Sequence, residues 1–120
     1  MTFEQLDLSD EVLDALYDMN FEECTPIQEQ SIPYILQGRD LIAVAQTGTG
    51  KTAAYLLPII SRLYTDGAPT DAINCIVMAP TRELAQQIDR QMEGMAYYLP
   101  VSSIAVYGGT DGRRDVIRQF

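Results

Sequence analysis

Histidine is absent from the 120 residues, and the two cysteines, Cys24 and Cys75, stand 51 positions apart. Neither has a partner at the spacing of a zinc site, so no metal cluster of thiolates or imidazoles follows. Long hydrophobic runs are missing too. The longest apolar stretches, Leu41 to Ala45 and Ala53 to Ile60, fall far short of the roughly 20 residues that cross a bilayer. The opening Met1-Thr2-Phe3-Glu4-Gln5 lacks the basic start and apolar core of an export signal. These absences lead to the expectation of a soluble, cytoplasmic chain with reduced thiols and no membrane partner. Positive charge is scarce: 8 Lys and Arg stand against 17 Asp and Glu, for a formal net charge of −9. That balance argues against a free-standing electrostatic grip on nucleic acid. The deficit is local, because residues 1–38 hold nine acids and no base while residues 39–120 are balanced. A phosphate-binding surface in the second segment therefore stays open.

What is present suits one small folded domain: 47% of the residues are hydrophobic and 21% charged. Ser9, followed by Asp10 and Glu11, predicts a helix start, with Val12, Leu13, Leu16 and Tyr17 as its apolar face. Thr25-Pro26 predicts a second start, the helix running to about Leu36 with Gly38 beyond its end and Pro33 kinking or dividing it. Asp40 to Ala45, Ala72 to Ala79 and Val101 to Tyr107 are apolar without alternation, as in strands buried on both faces of a parallel sheet. Between them, Lys51 to Tyr64 and the segment opened by Pro80-Thr81-Arg82-Glu83 read as helices, and a further one is expected within residues 110–120. Strands alternating with helices give an α/β fold, a parallel sheet with flanking helices.

Three segments bear on chemistry. Ala45-Gln46-Thr47-Gly48-Thr49-Gly50-Lys51-Thr52 lies between a strand and a helix. Glycines there let the backbone fold tightly enough to aim successive N–H groups at phosphate oxygens, with Lys51 reaching the β- and γ-phosphates and the Thr52 hydroxyl helping to hold Mg²⁺. The general pattern begins with Gly where this chain has Ala45. Thr25 and Gln28 fit a capping box, which by itself needs no ligand. Pro80, Thr81, Arg82 and Glu83 place a helix N-terminus at the carboxyl edge of the sheet, suited to a nucleic-acid phosphate and equally to an ordinary capped helix. Gly108-Gly109 alone marks a turn.

In order, Phe3, Phe21 to Gln28, Ala45 to Thr52, Pro80 to Ala85 and Gly108-Gly109 closely resemble the start of a DEAD-box RNA helicase of bacterial type. The resemblance covers the whole chain and implies a P-loop NTPase fold of RecA-like architecture, truncated. It implies that Phe3, Phe21 and Gln28 belong to an adenine-reading Q motif within residues 1–38, where Asn20-Phe21 stands in place of the commoner Gly-Phe. It accounts for Ala45 as the usual first residue of the family's phosphate loop. It assigns Pro80, Thr81, Arg82, Glu83, Gly108 and Gly109 to contacts with the RNA backbone, and residues 39–120 to the first half of the first helicase domain. ATP and Mg²⁺ are the implied cofactors and RNA the implied partner.

No Asp-Glu-Ala-Asp or Ser-Ala-Thr sequence occurs, so the family's Mg²⁺-binding and water-activating carboxylates have no counterpart. The expectation is a piece of a helicase that binds nucleotide through Lys51 and its loop without hydrolysing it. The alternatives are a P-loop domain of another class and an inactive remnant. Leu41 to Ala45, deprived of its neighbouring strands, is further expected to drive formation of an oligomer or strand-swapped dimer.

Overall fold

The computed structural model describes residues 1–46, 48, 50–69 and 71–108. Candidate residues Thr47, Thr49 and Gly109, and the helix expected within 110–120, lie outside these. Among the described residues four helices form: α1 (Asp10–Asp18), α2 (Pro26–Leu36), α3 (Lys51–Thr65) and α4 (Arg82–Met95), preceded by a single 3-10 turn at Phe3–Gln5. Their starts follow the capping signals. The Ser9 side chain accepts a hydrogen bond from the Val12 N–H at 3.4 Å, and that of Thr81 from the Leu84 N–H at 3.1 Å. α2 runs unbroken through Pro33, so the expectation that this proline divides the helix is corrected. Tyr17, expected on the buried face of α1, is instead 82% exposed.

The core is built by helix against helix. Val12 and Leu16 of α1, Ile32 of α2, Leu57 and Ile60 of α3 and Met95 of α4 are almost wholly buried and belong to one cluster with Phe3, Leu6 and Leu99. A polar tie crosses this core, where the Ser9 N–H donates to the buried Ser61 Oγ at 2.9 Å, joining the cap of α1 to the middle of α3.

The three apolar segments between the helices depart from expectation. Among the described residues none belongs to a strand ladder, and the one bridge is an antiparallel contact between Thr2 and Glu23. The expected buried strands are exposed: Ile42 is 95%, Val44 89% and Met78 91% accessible. Among the described residues no backbone hydrogen bond joins these segments to one another, and an apolar strand is buried only where neighbouring strands and covering helices take up its edges and faces. Instead, 73–77 and 101–106 both line a cavity of about 820 Å³ floored by Leu56 and Ile59 of α3 and Ile88 and Met92 of α4.

Candidate nucleotide-binding site

The site forms where α2 meets the N-terminus of α3. Gly48 and Gly50 have φ of +84° and +80°, a left-handed conformation that L side chains adopt at a cost. Gly50 is the N-cap of α3 and supplies no side-chain cap, and the first turn carries no acidic residue. The first N–H groups of this 15-residue helix, at the positive end of its dipole, are thus left for an anion. Lys51, the chain's only lysine, is exposed and makes no ion pair among the described residues. Thr52 is half-buried, and burial pushes the Tyr55 pKa up, the nearby Thr52 hydroxyl pulling it partly back.

Gln28 connects this loop to α2. Its side chain is 3% exposed, with Oε1 accepting from the Thr25 N–H at 2.9 Å and Nε2 donating to the Gly50 carbonyl at 3.2 Å. The cap and the contact with the loop therefore coexist in one amide. Thr25 Oγ1, buried beside it, faces the Gln28 N–H as the other half of the capping box, and its own proton meets no acceptor among the described residues. Open helix N–H groups and a free ammonium at the start of α3 fit the phosphates of a nucleotide.

The two phenylalanines sit below the site. Phe3 is buried in the core with its ring stacked on that of half-buried Phe21 at 6.2 Å. The Cys24 N–H donates to the Met1 carbonyl at 2.9 Å, pinning the segment that leads into Thr25. In this structure the rings hold the Gln28 segment in place.

The second group of candidates lies at the N-terminus of α4. Pro80, Thr81, Arg82 and Glu83 are exposed, and Arg82 Nε pairs with Glu83 at 3.5 Å. The Gln86 amide donates to the Tyr107 hydroxyl at 2.9 Å, tying the side chain of the residue before Gly108 to the second turn of α4. Sequence reasoning missed this tie, since nothing local links residues 86 and 107. It also missed the Gln28–Gly50 bond, although both partners stood in candidate motifs. Among the described residues, no group of acidic, His or Cys side chains could hold a metal ion, and no helix is long and apolar enough to cross a membrane.

The comparison with family models decides the affiliation: residues 25–119 match the DEAD/DEAH box helicase model. The chain belongs to this family. It is 44% identical over 115 residues to the DEAD-box ATP-dependent RNA helicase CshA of Bacillus cereus, covering 96% of this chain and 21% of that protein. It is 46% identical over 121 residues to the ATP-dependent rRNA helicase RRP3 of Vanderwaltozyma polyspora, covering 98% and 23%. The chain thus spans less than a quarter of these relatives. Among solved structures, a DEAD box protein from Methanococcus jannaschii superimposes with a TM-score of 0.81 at 32% identity over 98% of this chain and 31% of that one. The RNA helicase Prp28 of Chaetomium thermophilum, bound to ADP, superimposes with a TM-score of 0.86 at 37% identity over 98% and 29%. The backbone path is therefore that of a DEAD-box RecA-like domain, even though its strand segments are unpaired here.

Proposed function

We propose that this DEAD-box chain is the ATP-binding portion of an ATP-dependent RNA helicase that remodels or unwinds RNA duplexes. Residues 1–38 contribute adenine recognition through Gln28, and residues 39–120 the phosphate cradle and a few RNA-backbone contacts. The observation that carries the reading is the Gln28–Gly50 bond, which sets a base-reading amide directly against the phosphate loop. ATP, when bound with Mg²⁺, supplies the free energy for the helicase cycle. Lys51 and the first N–H groups of α3 would hold its phosphates, and the Thr52 hydroxyl would help to hold the Mg²⁺. Pro80, Thr81, Arg82, Glu83 and Gly108, with Gly109 beyond them, form the track for RNA phosphates. A cytoplasmic location fits such a substrate.

Gln28→Ala tests the reading. The mutant is expected to lose its preference for ATP over GTP. A capping role alone predicts an equal loss for both nucleotides, through a stability decrease of about 1 kcal/mol. Calorimetric titration with the two nucleotides beside a melting curve separates the two.

The 120-residue chain is expected to bind ATP without RNA-stimulated hydrolysis. Phosphoryl transfer requires a positioned water and neutralised charge, and the Asp-Glu-Ala-Asp carboxylates are not in this sequence. A phosphate-release assay with and without RNA checks this. Turnover abolished by Lys51→Ala would contradict it.

A further inference from the structure

The two groups of residues read as contacts for RNA phosphates, 80–83 and Gly108, are joined by a return path. α4 carries the chain away from Arg82, and residues 101–107 bring it back along the same helix. Two side-chain hydrogen bonds record the direction: the Ser103 hydroxyl donates to Asp89 Oδ1, and the Gln86 amide donates to the Tyr107 hydroxyl at 2.9 Å. As the segment advances from 103 to 107, its partners on α4 step back from 89 to 86, toward the helix start. Asp89 and Gln86 stand three apart, neighbours on one face of a helix, and the even spacing of 103 and 107 puts both side chains on one side of an extended chain. Half-buried Val101 packs against the core cluster where the segment begins. The Ser103–Asp89 bond is exposed, whereas the Gln86–Tyr107 bond is partly buried and adjoins Gly108.

A single strand of RNA presents its phosphates at a spacing fixed by its own backbone. Once one phosphate is held at the start of α4, a second contact forms within the same complex, at an effective concentration set by the geometry between the two protein sites. That gain is lost where the sites cannot be occupied together. We infer that Gln86 and Tyr107 are positioning residues for RNA: their hydrogen bond fixes Gly108 relative to the start of α4, so that one strand engages both, an assignment that rests on reading residues 80–83 and Gly108 as an RNA track. Neither side chain has to touch the RNA. Exposed Arg82 and its neighbours hold phosphate, and the Gln86–Tyr107 bond sets the distance to the next contact. The two ends of the track are therefore coupled through α4.

Fluorescence anisotropy of a single-stranded oligouridylate, titrated at low salt with the 120-residue chain, tests the assignment. Tyr107→Phe keeps the ring and removes the hydroxyl, and Gln86→Met keeps the side-chain length and removes the amide. Each is expected to weaken RNA binding about threefold to tenfold, the scale of one neutral hydrogen bond. The double variant is expected to be no weaker than either single one, since both remove the same bond. In an Arg82→Ala background, which takes away the charged contact at the other end, Tyr107→Phe is expected to lose most of its effect, because little is left to couple. A general folding defect would instead add in full to the loss from Arg82→Ala and would weaken ADP binding, which the positioning role leaves at the wild-type value. Additive losses, or equal losses for RNA and ADP, would overturn the assignment. So would RNA affinity that Tyr107→Phe and Gln86→Met leave unchanged while Arg82→Ala lowers it, a result that spares the RNA track. An RNA affinity that Arg82→Ala also leaves unchanged removes the track, and the positioning role with it.

Discussion

Replacing Lys51 with alanine is expected to weaken ATP and ADP binding by about 1.5 to 3 kcal/mol, roughly 10- to 150-fold in Kd, the range for a charge-assisted contact to phosphate. The size of the effect follows from how little else in the site is cationic. The helix N-terminus supplies partial charge and directed N–H groups, but Lys51 is the only lysine in the chain. Arg62 is paired with Asp66 at 3.5 Å and Arg82 with Glu83 at 3.5 Å. Lys51 has no structural partner whose loss would unfold the protein, so the melting temperature without nucleotide should not change. Isothermal titration of wild type and mutant measures the difference. An unchanged affinity would remove the phosphate loop from the proposal.

Substitution of Gly50 by alanine is expected to be nearly as damaging, for two separable reasons. Its φ of +80° costs an alanine about 1 to 3 kcal/mol in backbone strain. In addition, the new Cβ would lie 2.4 Å from Gln28 Nε2, 3.2 Å from its Cδ and 3.3 Å from Thr25 Oγ1. The Gln28 amide is buried and tied to the Thr25 N–H, so it cannot step aside cheaply. Gly48→Ala is the control. Its φ of +84° carries the same kind of strain, but a Cβ there meets nothing within 4 Å. Both mutants should lose stability, whereas only Gly50→Ala should also lose the preference for ATP over GTP. Equal selectivity in the two would mean that Gln28 does not read the base from its position against Gly50.

The helices were legible because their signals are local. Ser9, Thr25-Pro26 and Thr81 each mark a start within a residue of the observed one, and Gly50 followed by Lys51 marks the fourth. Backbone N–H groups at a helix end are satisfied by neighbours three residues away, and such pairs can be read along the chain. Strand pairing offers no such shortcut. The apolar character of 41–45 and 73–78 is that of chain suited to a buried sheet. Burial, however, depends on a neighbour that no local pattern supplies, and these segments are exposed. The same distinction runs through the site. The loop glycines, Lys51 and Thr52 could be named from their spacing. The Gln28–Gly50 bond arises from the packing of α2 on α3 and could not. Tyr17 fails in the opposite sense: its position fits an apolar face by period, but α1 is short and the residue falls at its outer edge, in solvent.

A core made largely by helices has a consequence for how the chain leaves the ribosome. Its innermost residues run in order from Phe3 to Leu99, with α2 and α3 close in both sequence and space. Helices form in about a microsecond, far faster than synthesis at roughly 5 to 20 residues per second. The corner joined by the Gln28–Gly50 bond, complete once α3 has emerged, can therefore assemble while translation continues. The unpaired apolar segments meanwhile remain exposed to neighbouring nascent chains, so crowding of such chains on one messenger should matter more to these strands than to the nucleotide loop.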